Sequence, residues 1–236
     1  MQLLWPSASP DADLAGLYRT PQEPWLRLNF VSSLDGAGHV DGKSEPLSGP
    51  ADKRVFGVLR MLCDALLVGA GTVREENYHA LRLDEKRRAW RVEHGMSEYP
   101  TLVIVSARCD LDPRHRVFAE APVRPIVVTR SHASPGPLAE VADIVSAGSD
   151  EVDLAAAVAQ LRARGLRQIL SEGGPRLFGS LTAAGLVDEL CLTLSPLLAG
   201  PGADRITTGA PLDGPQSLTL RHVLLDEGLL LLRYSR

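Results

Sequence analysis

The sequence predicts an α/β fold with one mixed, mostly parallel sheet, helices on both faces and a C-terminal antiparallel hairpin. Short continuous apolar runs, at Asp64–Val68, Leu102–Val105, Pro125–Thr129 and Gln168–Leu170, alternate with helical segments. That is the pattern of parallel strands buried on both faces. Two of these runs end in glycine turns that open helices. The last third changes character: Glu189–Ser195 alternates, with Leu190, Leu192 and Leu194 on one face. Two further runs, Ser217–Leu225 and Leu229–Tyr234, flank Asp226-Glu227-Gly228, a hairpin turn signal.

Taken in order, residues 1–24 hold Pro6, Pro10, Pro21 and Pro24 around a short apolar stretch at Leu14–Tyr18, and read as an arm leading into a domain at 25–236. Trp25–Val31 is the first strand, and Gly36, Gly38 and Gly42 then loop the chain. Ser48-Gly49-Pro50 marks a helix start, with Pro50 near the first helical position and Asp52 in the first turn. Val55, Leu59 and Leu62 follow at helical spacing. Leu81–Gly95, rich in Arg, Glu and Lys, predicts an exposed helix. Asp153–Arg164 is an alanine-rich helix, and Gly173-Gly174-Pro175 opens another that runs to Ala184 and ends at Gly185.

Composition narrows the function. A chain of 236 residues with 44% hydrophobic and 23% charged residues supports a true core without staples. Net charge is −4, which argues against nucleic acid or anionic lipid as partner. Cys63, Cys109 and Cys191 are scattered, and neither they nor the six histidines show a metal-ligand spacing, so no metal is expected. No apolar run reaches the ~18 residues of a membrane span, and the N-terminus has no signal-peptide pattern, so a cytoplasmic protein is expected.

The chemistry concentrates at the two glycine turns, Val68-Gly69-Ala70-Gly71-Thr72-Val73 and Leu170-Ser171-Glu172-Gly173-Gly174-Pro175. Glycine there lets the backbone approach an anion, and a helix N-terminus offers free N–H groups and a partial positive charge. Either turn alone reads more readily as a plain strand-to-helix turn. Neither is a GxGxxG fingerprint or a phosphate loop with Lys-Ser/Thr. Two in one sheet strengthen the case for a dinucleotide crevice.

Ser33-Leu34-Asp35-Gly36, Asp64-Ala65 running into the first glycine turn, Ser171–Gly174, Leu186-Val187-Asp188-Glu189 and Pro196-Leu197-Leu198-Ala199-Gly200 occur in order over about residues 25–235. In this the chain resembles the reductase half of the bifunctional riboflavin-biosynthesis deaminase-reductases. The resemblance implies a dihydrofolate-reductase-like fold. It also implies NADPH-dependent reduction of the ribose of a ribosylaminopyrimidine 5′-phosphate to a ribityl chain. For cofactor it points to Asn29, Gly69, Gly71, Thr72, Glu76, Ser106 and the segment Gly173, Gly174, Pro175, Arg176 and Leu177. Arg108 is added by its charge, as a partner for the 2′-phosphate. For substrate it points to Ser44, Arg60, Arg82 and Glu172, the two arginines as a phosphate clamp. Asp35 and Glu172 are the expected catalytic carboxylates.

Two stretches depart from that pattern. Glu76-Asn77-Tyr78-His79-Ala80 stands where the family has Asp-x-Pro-x-Leu, and Pro46 stands in place of an aromatic residue. Both fall where substrate is held. A pterin or dihydrofolate-like substrate on the same fold, and a non-catalytic nucleotide-binding protein, therefore remain as alternatives. The deaminase's His-x-Glu and Pro-Cys-x-x-Cys signatures are absent from the sequence. Leucines on both sides of the last strand, Leu229–Leu232, call for a covering helix or a partner subunit, and a homodimer is expected.

Overall fold

A computed structural model describes residues 1–76 and 78–236. Asn77, within the departing stretch, lies outside the described residues. Among these the strands are β1 (Gln2–Trp5), β2 (Trp25–Ser33), β3 (Ala65–Gly69), β4 (Thr101–Val105), β5 (Ile126–Thr129), β6 (Asp143–Ser146), β7 (Gln168–Ser171), β8 (Glu189–Ser195), β9 (Thr219–Asp226) and β10 (Leu229–Ser235). The helices are α1 (Leu14–Leu17), α2 (Pro50–Leu62), α3 (Ala70–Glu75), α4 (Glu85–Glu93), α5 (Arg116–Ala119), α6 (Leu138–Val141), α7 (Leu154–Ala163) and α8 (Pro175–Ala183).

All ten strands form one sheet in the order β1-β9-β10-β8-β2-β7-β3-β4-β5-β6. From β8 to β6 every neighbouring pair is parallel, and the pairs among β8, β10, β9 and β1 are antiparallel. The mixed, mostly parallel sheet with its C-terminal hairpin is therefore present. One core packs α2 residues Val55, Leu59 and Leu62 against Leu66, Val68, Leu102 and Ile104. The other packs Val158 and Leu161 of α7 and Leu177 and Leu181 of α8 against Leu26, Leu28, Leu67 and Val103. Alternate residues of each buried strand serve the two cores, which is why these strands read as unbroken apolar runs.

Three elements differ from expectation. The first 24 residues are not a free arm: β1 pairs with β9 (Gln2 opposite Leu225), and Tyr18 is fully buried. Leu81 and Leu83 are buried outside any helix, and α4 starts only at Glu85, where the Asp84 carboxylate caps Arg87 N–H at 2.9 Å. β6 gives no clear signal in sequence, having four residues of which only Val145 is buried.

Candidate active site

β3 and β7 are neighbours in the sheet, so the turns at their carboxyl ends, a hundred residues apart in sequence, lie side by side. Gly69 N–H donates to the Gly173 carbonyl at 2.6 Å, and Glu172 N–H donates to the Leu67 carbonyl at 3.1 Å. Gly173 has φ +83°, and a Cβ there would stand 2.4 Å from the Phe30 ring. A side chain is excluded both by conformation and by space. A Cβ on Gly174 would come within 3.0 Å of Thr72 Oγ1, so the second turn rests directly on the first.

Two cavities open on either side of this junction and share Thr72, Gly174 and Pro175. The larger, of about 790 Å³, is lined by Gly69, Gly71, Ser106, Arg108, Arg176 and Leu177 of the expected cofactor set, together with Arg74 and Asp110. It faces the start of α8, where Gly174 is the N-cap, no side chain caps the helix, and Pro175 occupies the first turn. Its rim is organised by Asp110, which accepts from Ser106 Oγ at 3.1 Å and pairs with Arg74 at 3.3 Å and Arg108 at 3.7 Å. A cavity with glycine walls, an uncapped helix start and two rim arginines fits the phosphates of a dinucleotide.

The smaller cavity, of about 340 Å³, is lined by Asn29, Phe30, Ser44, Asp52, Lys53, Phe56, Glu76, Tyr78, Glu172 and Ile206. Phe30, Phe56 and Ile206 give it apolar walls suited to a flat ring. Ser44 is tied to Glu76 by a 3.2 Å bond from its N–H. Asp52 is buried, accepting from Ser48 Oγ at 2.5 Å and Thr193 Oγ1 at 2.6 Å. Glu172 is gripped at both oxygens, by Arg60 Nε at 2.8 Å and Nη2 at 2.7 Å. Tyr78 Oη donates to the same carboxylate and accepts from Arg60 Nη2 at 2.8 Å. Burial pushes the Tyr78 phenol well above its ordinary value, so that hydroxyl keeps its proton at neutral pH.

Several expected roles change. Arg60 and Arg82 do not form a clamp. The Arg60 guanidinium is spent on Glu172 and Tyr78 and lies over the Phe56 ring at 4.1 Å. Arg82 lines neither cavity and donates to the Glu120 carbonyl at 2.8 Å. Asp35 also lies outside both cavities. Its carboxylate accepts from Ser33 Oγ, from Ala199 N–H at 3.1 Å and from Gly200 N–H at 2.8 Å, pinning the loop after β8. Those bonds, the Ser33 hydroxyl first, hold it at about 2, too low to relay protons near neutrality. Asn29 and Glu76 line the smaller cavity and not the dinucleotide side, and Gly173 backs the junction without lining either.

Sequence reading passed over Asp52, Lys53, Phe56, Tyr78 and Ile206. A signal for two of them was available, since Asp52, Phe56 and Arg60 recur every four residues on one face of α2. Ile206 had none: it is carried by the long loop between β8 and β9, whose Thr208 N–H bonds the Pro175 carbonyl at 3.1 Å.

The chain is similar in sequence and fold to known proteins. Residues 24–231 match the family model described as the RibD C-terminal domain. The chain is 30% identical over 217 residues to the 2,5-diamino-6-ribosylamino-4(3H)-pyrimidinone 5′-phosphate reductase of Methanothermobacter thermautotrophicus, covering 86% of this chain and 97% of that protein. It is 28% identical over 180 residues to the reductase of the same name from Archaeoglobus fulgidus, covering 75% and 82%. Among solved structures, a pyrimidine reductase-like protein from Corynebacterium diphtheriae superposes with a TM-score of 0.84 at 27% identity, covering 94% of this chain and 97% of that one.

Proposed function

The chain belongs to the family of RibD C-terminal domains, and from that premise we propose that it is an NADPH-dependent reductase of a ribosylaminopyrimidine 5′-phosphate. The supporting observation is the glycine junction, which joins the larger, glycine-walled cavity to the smaller one with aromatic walls through the shared residues Thr72, Gly174 and Pro175. The names of the archaeal relatives agree with this reading.

In this reading Gly69, Gly71, Gly174 and the start of α8 hold the pyrophosphate, Ser106 meets the adenosine ribose, and Arg108 with Arg74 meets the 2′-phosphate. NADPH, when bound there, would supply the hydride for reduction at C1′ of the opened ribose, with a proton taken up at the heteroatom. The chain's own part is placement. Phe30, Phe56 and Ile206 sandwich the pyrimidine, and Lys53, the basic side chain lining that cavity, takes the phosphate role expected of the two arginines. Glu172, held rigidly by Arg60 and Tyr78, faces the ribosyl part. The Tyr78–Glu172 bond keeps a proton at the cavity wall.

Two further statements belong to the proposal. The reaction is assigned to the cytoplasm, and no described helix is long and apolar enough to cross a membrane. The chain acts as a homodimer, because half-buried Leu192, Leu194, Leu230 and Leu232 form an uncovered apolar patch on β8 and β10.

The test is cofactor oxidation with the ribosylaminopyrimidine phosphate and with dihydrofolate, using NADPH and NADH in parallel. Turnover of the pyrimidine phosphate with a clear preference for NADPH is expected. Oxidation with dihydrofolate alone would move the chain to a pterin reductase, and none with either would remove the enzymatic reading.

A further inference from the structure

Of the apolar side chains assigned to the ring, Phe30 stands on β2 and Phe56 on α2, whereas Ile206 is carried by the loop between β8 and β9. That loop is fixed at two points, one on each side of Ile206. Before it, Gly38 N–H donates to the Asp204 carbonyl at 2.8 Å, and Asp204 N–H donates to His39 Nε2 at 3.3 Å. After it, Thr208 N–H donates to the Pro175 carbonyl in the first turn of α8 at 3.1 Å. A glycine lies under each point. A Cβ on Gly38 would stand 3.2 Å from the Ile206 nitrogen and 3.3 Å from the Asp204 carbonyl oxygen. A Cβ on Gly179, in the middle of α8, would collide with the Thr208 carbonyl. Neither glycine has a positive φ, so spacing and not conformation calls for it. Glycine is among the poorest residues for a helix interior, and the backbone laid across α8 accounts for Gly179 there.

We propose that residues 204–208 form a strap whose height is set by Gly38 and Gly179, two positioning residues that act on the substrate ring through Ile206. A side chain in the way of an added methyl can turn aside, but a backbone carbonyl moves only with its loop. A methyl at position 179 therefore lifts Thr208 off α8 and draws Ile206 back from the cavity, leaving a gap opposite the aromatic walls. Gly179 lines neither cavity, so its effect on the ring is indirect. The cofactor side is spared, because Ile206 lines the smaller cavity and none of residues 204–208 lines the larger. The proposal rests on the assignment of the smaller cavity to the substrate ring.

The experiment compares wild type, Gly179→Ala, Ile206→Ala and the double variant. It reads trypsin cleavage after Arg205, NADP⁺ affinity, and KM and kcat for the ribosylaminopyrimidine phosphate with NADPH. Arg205 lies inside the strap, and cutting there requires the strap to open, so the cleavage rate reports its seating. Gly179→Ala should speed that cleavage by about ten-fold or more. It should raise KM by about ten-fold with little change in kcat, the mark of lost binding and not of lost chemistry. NADP⁺ affinity should be retained, which also shows that the variant is folded. Because Gly179 acts through Ile206, the double variant should have the KM of Ile206→Ala alone and not the product of the separate effects. Unchanged cleavage after Arg205, additive effects on KM, or an equal loss of NADP⁺ affinity would overturn the proposal. If Gly179→Ala does not fold, Gly38→Ala presses on the strap from its other end and is read in the same way. Absence of turnover in wild type would sink the reductase reading, and the cleavage rates would still decide whether the glycines seat the strap.

Discussion

Arg60 shows how far a residue's chemistry depends on what it meets. Its charge suggested a phosphate ligand, but its guanidinium is matched on both prongs by Glu172, with side-chain exposures of 20% and 5%. Breaking a buried pair from one side strands the other charge, at a cost of about 3–5 kcal/mol. Arg60→Ala should therefore lower unfolding free energy by that order, read from chemical denaturation, and should reduce turnover equally on phosphorylated and dephosphorylated substrates. A loss confined to the phosphorylated substrate, with stability intact, would restore the clamp. Tyr78 completes the same unit, and it falls where the sequence departs from the family pattern. The departure is thus used, as a hydroxyl that reaches both Arg60 and Glu172.

At the scale of elements, Glu189 on β8 is fully buried between Arg27 on β2 and Arg233 on β10, and so joins the parallel half of the sheet to the antiparallel half. The same two arginines donate to carbonyls of the N-terminal segment, Arg27 to Tyr18 at 2.7 Å and Arg233 to Leu17 and to Arg19 at 3.2 Å. This explains why the first 24 residues are packed down, although their prolines suggest a loose arm. Beside the cluster, His222 on β9 is buried against Tyr18, its Nε2 without a partner. Burial, with Arg233 adding to it, lowers His222 from 6.5 to about 4. Between those values the unfolded chain binds the extra proton and the folded chain does not, so stability is complete above pH 6.5 and falls as pH drops toward 4. The span corresponds to about 3 kcal/mol. His222→Phe should flatten that limb in denaturation curves taken from pH 7 to 4, and an unchanged slope would assign it to other groups.

For the whole molecule, the proposed dimer rests on the hairpin face. Leu230 pairs with Leu194 and Leu232 with Leu192 across β10 and β8, and all four remain half-buried while Leu229 and Leu231 fill the core. A stripe of this kind is most simply closed by a second copy about a two-fold axis. Light scattering at micromolar concentration should give twice the chain mass, and Leu232→Glu should give one. A wild-type monomer would leave the stripe without its proposed partner.

The sequence by itself determined the strands other than β1 and β6, the longer helices, the change from parallel to antiparallel pairing and the two glycine turns. Each of these rests on local periodicity or backbone freedom, which a short window contains. Tertiary structure alone decided that the two turns touch, because only the order of β7 beside β3 brings Gly69 to Gly173. It also decided which charges are available to a ligand. Arg60, Arg82 and Asp35 look free in the sequence and are occupied in the fold, while Asp52, masked as an ordinary first-turn carboxylate, faces the cavity. A side chain's type is local, but its partners are set by packing between distant segments, and the partners determine whether a charge holds the fold or meets a substrate.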